Sequence, residues 1–472
     1  MDNGLQQDNS SIIKKVLLFF SCAFIIGGVI AGFIYKDLGN MIPGLIRIWT
    51  YPSQFTMDYF ELGGLAATFL NCGIVGLEVV VLMYLTKTNA NGVSVAAYWL
   101  NVGFAPFGMT ALNCLPFFLG GYIYSKVKKI EFGKCLNFAF FSSALAPFVS
   151  ELLFRYPLSG DINKSILDGV INANYVPHFT VLGLVGALAL GIVVAFMMPG
   201  ICGHAPNFHK GYDLYNAGPA AGFMAMLMFS LLYTATGVPN TTNTHLGTNF
   251  KLFLSLFCVV VFLICIIWGM KLDKQAWSKY KDLFMSTGYK TDFTAKYGMG
   301  TTLINFGVYG LFILCYYLLI RGIKFDESGV FGFTRANFNG ATMGAIFCMF
   351  AFVANGAQPR TLLPIMIGYA VASFVPIIAF KCGAVGSLKW SLTTQGYLVG
   401  LCFASGLAPV SGKYGVKGGI IAGFMHALLV MTTPLMYNFL NFYNGGFTSG
   451  IVAFLLIPVF ENFGMKVIED KE

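Results

Sequence analysis

Few residues of this chain could do chemistry, and most of them sit in apolar surroundings. Arg360 is the sharpest. It closes the stretch "ANGAQPR" (354–360) and runs straight into "TLLPIMIGYAVAS", which is apolar enough to lie in a membrane. A cation there costs about 2.5–3.5 kcal/mol on insertion scales, so it reads as functional. It could hold an anionic solute, or pair with Glu78, the clearest acid within an apolar run. Asn355, Gly356 and Gln358 stand beside it. Asn71, Asn113 and Asn305 add amides within other apolar runs, and Phe104 and Gly108 lie at a matching stretch, "GFAPFG" (103–108). Amides in spans line paths or bond neighbouring helices, and both uses stay open.

Classical catalytic sets are missing from the sequence. There is no HExxH, GxSxG or DxxxD, and the 11 cysteines form no CxxC pair. They read as small buried packers rather than metal ligands or disulfides. His204, His209 and Asp213 form the one titratable cluster and read as polar loop residues; Asp58 and Asp292 read as helix caps. No enzyme activity, metal or cofactor is therefore expected. An intramembrane enzyme and a non-transporting scaffold are the alternatives to transport.

The elements that would position these residues are membrane helices. The 472 residues are 57% hydrophobic, 16% aromatic and only 10% charged. A soluble domain carries about 25% charged residues, so this chain cannot coat a water-facing surface. The net charge of +9 sits in loops between apolar runs, which points to membrane orientation rather than nucleic acid. The run after Lys14 and Lys15 is too long for a secretory leader and reads as a retained span.

The chain also repeats itself. "GGLAATFLNCG" from Gly63 and "YGMGTTLINFG" from Tyr297 share Gly64/Gly298, Thr68/Thr302, Asn71/Asn305 and Gly73/Gly307. Residues 91–125 align with 339–373 at nine of 35 positions, including Asn91/Asn339, Gly108/Gly356 and Pro116/Pro364. "FSSALAP" (141–147) matches "FASGLAP" (403–409), and "YNAGPAAG" (215–222) matches "YNGGFTSG" (443–450). Chance likeness of apolar sequence explains shared Leu and Phe, but not shared Asn, Gly and Pro in register. Two halves follow, 1–240 and 241–472.

Each half reads as seven segments: 13–35, 63–86, 92–105, 109–126, 136–154, 178–199 and 216–237, then 250–271, 298–320, 340–354, 361–380, 395–411, 418–437 and 446–463. An odd number inverts the second copy. With both termini cytoplasmic, 18 basic residues fall inside and ten outside, as the positive-inside rule expects. The external loop 238–249 has no Lys or Arg. The expected fold is thus all-α and integral to the membrane, with two inverted repeats.

Segments 92–105 and 340–354 are short and stop at Pro106 and Pro359. Non-helical backbone at membrane depth persists only under cover of protein or water, so two matched breaks point to a path or site. Whether the short segments re-enter or span stays open.

The shared "NG…GFAPFG…N..P…G.Y" pattern resembles an uncharacterised family of bacterial polytopic membrane proteins, known as a domain of unknown function. It implies a multi-pass plasma-membrane protein and no activity. The two halves with Asn-initiated short helices also resemble urea transporters in architecture. "NFNG" (337–340), "LYNAG" (214–218) and "FYNGG" (442–446) approximate that family's motifs, without its Leu-Pro-Phe-Asn. The expected function is a transporter or channel for a small polar, anionic solute. Its partners are lipid and that solute, with a homo-oligomer left open.

Overall fold

The computed structural model describes residues 2–156, 177–238, 240, 247–323, 336–388 and 390–470, with side chains from Asn9 onward. Residues 241–246, where the expected boundary between halves and most of the loop 238–249 fall, lie outside them. The principal helices are α1 (Asp2–Ile34), α2 (Leu65–Leu85), α3 (Gly92–Phe104), α4 (Ala111–Lys128), α5 (Phe132–Ser142), α6 (Ala146–Phe154), α7 (Val181–His209) and α8 (Ala217–Phe229). There follow α9 (Lys251–Leu272), α10 (Gly298–Gly322), α11 (Gly340–Cys348), α12 (Phe350–Val353), α13 (Pro359–Ala372), α14 (Phe374–Lys381), α15 (Gln395–Phe403), α16 (Ala408–Leu429) and α17 (Asn444–Asn462). Among the described residues, nine helical stretches are long and apolar enough to cross a membrane. Phe33, Leu85, Val181, Leu252 and Leu319 stand exposed on them. So much bare apolar surface suits lipid and not water. The chain is a polytopic membrane protein.

Glycines set the closest approaches. α1 packs along α2, and α9 along α10. A side chain on Gly28 would meet Ala66 O and one on Gly73 would meet Ser21 O; Gly307 lies as tightly against Phe262 O. Lipid supplies no hydrophobic drive between helices, so small residues that let backbones approach take its place. α4 packs on α7 and α13 on α16 in the same way.

At the centre, α3 and the α11–α12 pair lie antiparallel. Gly103, near the end of α3, rests on Gly344 and Cys348. Asn355 Nδ2, just beyond α12, donates 3.0 Å to Gly92 O at the start of α3. The cap that starts each short helix is the one the sequence predicts. Asn91 Oδ1 accepts from Val93 N and Ser94 N, and Asn339 Oδ1 from Thr342 N.

Two further pairs of bonds join aligned positions. Gly92 N donates 3.0 Å to Asp292 Oδ2, and Gly340 N donates 3.0 Å to Asp58 Oδ1. Leu214 N donates to Gly406 O, and Phe442 N to Ala144 O, both at 3.0 Å. Asp58 and Asp292 do cap their own helices, through Phe60 N and through Thr294 N and Ala295 N. Each carboxylate also holds the first turn of the other half's short helix.

One pair of expected segments differs in part. The expected stretches 395–411 and 418–437 are separate and meet at Gly415, whose φ of 67° and ψ of −160° interrupt α16, but the second ends at Leu429. Glycine takes that positive φ without penalty, so the turn needs no loop. Thr433–Tyr437 is a short 3-10 turn.

Candidate functional site

At both helix breaks amide side chains bond the freed backbone. Asn71 Nδ2 donates to Ala105 O (2.9 Å) and Met109 O (2.8 Å). Asn305 Nδ2 donates to Val353 O (3.2 Å) and Ala357 O (3.0 Å). Asn113 shares a capping box with Thr110 and donates to Gly108 O and Ser150 Oγ, both at 2.9 Å. Gln358 shares a second capping box with Thr361 and donates 3.1 Å to Ser286 O. These four amides thus hold broken backbone. Gly108 and Gly356 make the breaks at φ of 155° and 140°. A Cβ on Gly108 would enter the Phe442 ring, and one on Gly356 would strike Gly288 O.

Arg360 does not meet Glu78. Its Nε donates 3.1 Å to Phe284 O, and its Nη2 donates to Met285 O (2.6 Å) and Ser286 O (3.0 Å). Those carbonyls end the helix Ala276–Met285, where a cation is favoured by the helix dipole. Glu78 Oε2 is buried with no hydrogen-bond partner among the described residues. The expected anion site at Arg360 therefore becomes a helix-end clamp. The buried charge pair that does form was missed: Arg155 Nε lies 2.6 Å from Glu151 Oε2, which also accepts from Tyr233 Oη at 3.1 Å. Its i,i+4 spacing in "ELLFR" was readable.

The open space lies elsewhere. Two adjoining cavities of about 310 and 350 Å³ share Pro206, Leu214, Asn216 and Asn355. The first is apolar, walled by Val93, Ala96, Phe138, Phe141, Cys202 and Tyr215. The second is polar, walled by Asp213, Lys290, Thr291 and Asp292. Of the residues singled out from sequence as pathway candidates, Asn355 alone lines this space. Asn216 makes no cap bond and is exposed into it.

The positions that align with these walls are buried. Asn441, Phe442, Asn444, Asp58 and Phe107 align with Asp213, Leu214, Asn216, Asp292 and Asn355, and none is more than 1% exposed. Phe104 is part of the seal. Its ring stacks on Phe403 (5.5 Å, 7°) and on Phe442 (5.0 Å, 14°), with Phe107 edge-on at 5.2 Å. On the open side Leu214 and Asn355 replace Phe442 and Phe107, so no such stack forms. Between the two mouths Tyr215 and Tyr443 meet with ring centroids 5.0 Å apart. Both hydroxyls are buried without a partner among the described residues.

Burial holds the Asp213 carboxyl well above the usual carboxylate range, with the Tyr215 N–H pulling the other way. No group of three His, Cys, Asp or Glu side chains among the described residues is placed to hold a metal.

The chain belongs to the family described as protein of unknown function (DUF1576), whose profile matches residues 37–180, 170–234 and 272–462. No curated protein and no solved structure matches it.

Proposed function

We propose that this member of the family is a transporter for a small polar solute, built from two inverted repeats that expose one central site to each side in turn. One observation carries the reading: aligned residues line an open mouth on one side and a sealed one on the other. A passive channel would need both mouths open at once. The antiparallel α3 and α11–α12, with the reciprocal Asp58–Gly340 and Asp292–Gly92 bonds, support a two-fold axis across the helices and hence inverted copies. With the termini on the cytoplasmic side of a cell membrane, as the lysines favour, the open mouth faces the cytoplasm. Arg360 is occupied by carbonyls, so the proposed solute is no longer anionic; neutral or singly cationic solutes suit a mouth with Asp213, Asp292 and Lys290.

Cysteine accessibility tests this. Asn216→Cys should react with an impermeant thiol reagent from one side, while Asn441→Cys stays largely protected. Cross-linking Asn216→Cys to Thr291→Cys across the open mouth should then raise Asn441→Cys labelling from the other side. If Asn441→Cys stays protected in the cross-linked protein, the transporter reading fails. If both positions label freely together, the protein is a channel.

A further inference from the structure

Asp213 and Asn441 form an internal comparison. Both sit two residues before an aligned tyrosine and do the same local work. Asp213 Oδ1 accepts from Tyr215 N at 3.2 Å, and Asn441 Oδ1 accepts from Tyr443 N at 2.9 Å. The turn therefore needs only one side-chain oxygen, and an amide supplies it as well as an acid. What Asp213 adds is a second, ionisable oxygen. Oδ2 is buried and has no hydrogen-bond partner among the described residues.

The surroundings of that oxygen are specific. Asp213 is 3% exposed and forms part of the wall of the polar cavity, so water from the open mouth reaches its edge. It belongs to the first half, yet it abuts the second. A Cβ on Gly406 would lie 2.8 Å from Oδ1 and 3.2 Å from Ser449 Oγ, and one on Gly450 would lie 3.4 Å from Oδ2. Among the described residues no cation forms an ion pair with it. From α7, His209 turns Nδ1 toward the chain and accepts from Gly211 N and Asp213 N. Across the cavity stand Lys290 and Asp292, the latter bonded to Gly92 N. On α16, Lys413 lies within ion-pair distance of Glu469 and Asp470; on α17, Glu461 pairs with Lys210. An uncompensated carboxylate in such a place is costly, and a carboxyl is not.

We propose that Asp213 is the proton-binding site of this molecule, loaded through the open cavity, and that its charge state governs how the two halves meet. This deepens the transporter reading and rests on it: the coupling ion is the proton. The step is simple. A hydronium ion in the cavity gives one proton to Oδ2: its own O–H bond breaks, the carboxyl O–H bond forms, and a neutral water and a neutral carboxyl remain. Neutral Asp213 tolerates contact with Gly406 and Gly450; ionised, it draws water and favours separation. Asn441 is the permanently neutral counterpart.

Two readouts test this in reconstituted full-length protein. Infrared difference spectra between acid and alkaline pH should show a buried carboxyl band that Asp213→Asn removes. The rate at which an impermeant maleimide labels native Cys202, which lines the apolar cavity, is read by peptide mass spectrometry and divided by the rate for the same cysteine in unfolded protein at each pH, so that the thiol's own ionisation cancels. This ratio should change with pH by about fivefold or more, the low end of ordinary site coupling. Asp213→Asn should fold, since Asn441 shows that an amide makes the same turn, and should give a ratio that does not change with pH. His209→Asn should keep the pH response. A response that survives Asp213→Asn, or that disappears only in His209→Asn, overturns the proposal. A carboxyl band that titrates while Cys202 labelling stays flat also overturns it. The transporter reading fails separately, on the cross-linked Asn441→Cys, so the two failures are distinguishable.

Discussion

Arg360 shows how a residue's chemistry depends on what it touches. Its guanidinium caps three carbonyls at one helix end. Hydrogen bonds to charged groups contribute roughly 1.5–3 kcal/mol. Arg360→Met should therefore lower the thermal unfolding midpoint by an amount equivalent to about 2 kcal/mol, yet leave solute flux per folded molecule unchanged. Lost flux at full stability would return Arg360 to the site. Asp58 gives a second prediction. Burial raises its carboxyl from 3.8 to about 6, against the pull of the Thr248 hydroxyl and of the Gly340 and Phe60 amides. The folded chain thus holds this proton more tightly than the unfolded one. Its contribution to stability is greatest below the unfolded value and is lost as pH rises through about 6. Two pH units correspond to roughly 3 kcal/mol. Melting curves of wild type should shift downward across that window relative to Asp58→Asn. The variant keeps an acceptor for both amides and cannot ionise, so an equal slope in the two proteins would refute the account.

Among the elements, the short helices were the most legible part of the sequence. An Asn before each, a Pro after each and too few residues to cross a bilayer placed both within a residue or two. The caps Asp58 and Asp292 were legible as caps, but their second bonds were not, because Gly340 and Gly92 lie far away in sequence. The break at Gly415 was legible, since it falls between 395–411 and 418–437, but its tight loop-free turn was not, because its φ is decided by what it packs on. The polar cavity was missed because most of its walls are loop residues: Asp213, Asn216, Lys290 and Thr291 have no periodicity to mark them. Close packing of α3 on α11 is the element-scale test. Gly103 already faces Cys348 Sγ and Cys348 N. Gly103→Leu should separate the two helices and abolish folding in detergent, whereas Val93→Ala, on the exposed start of α3, should be tolerated. A stable Gly103→Leu protein with an unchanged elution profile would show that the pair is not tightly seated.

For the whole molecule, two unequal mouths follow from unequal side chains on matched frames. At positions that align in the sequence, Asp213/Asn441 and Asn355/Phe107 differ, while the framework amides Asn71 and Asn305 are the same. The unwound backbone has its own consequence. Ala105, Pro106, Gly108 and Met109 carbonyls in one break, and Val353, Ala354 and Ala357 carbonyls in the other, already receive N–H donors. Filters that strip an alkali ion replace its hydration shell with just such carbonyl oxygens. Here those oxygens already accept hydrogen bonds, so the two breaks offer a bare sodium or potassium ion few free carbonyls in place of the water it gave up.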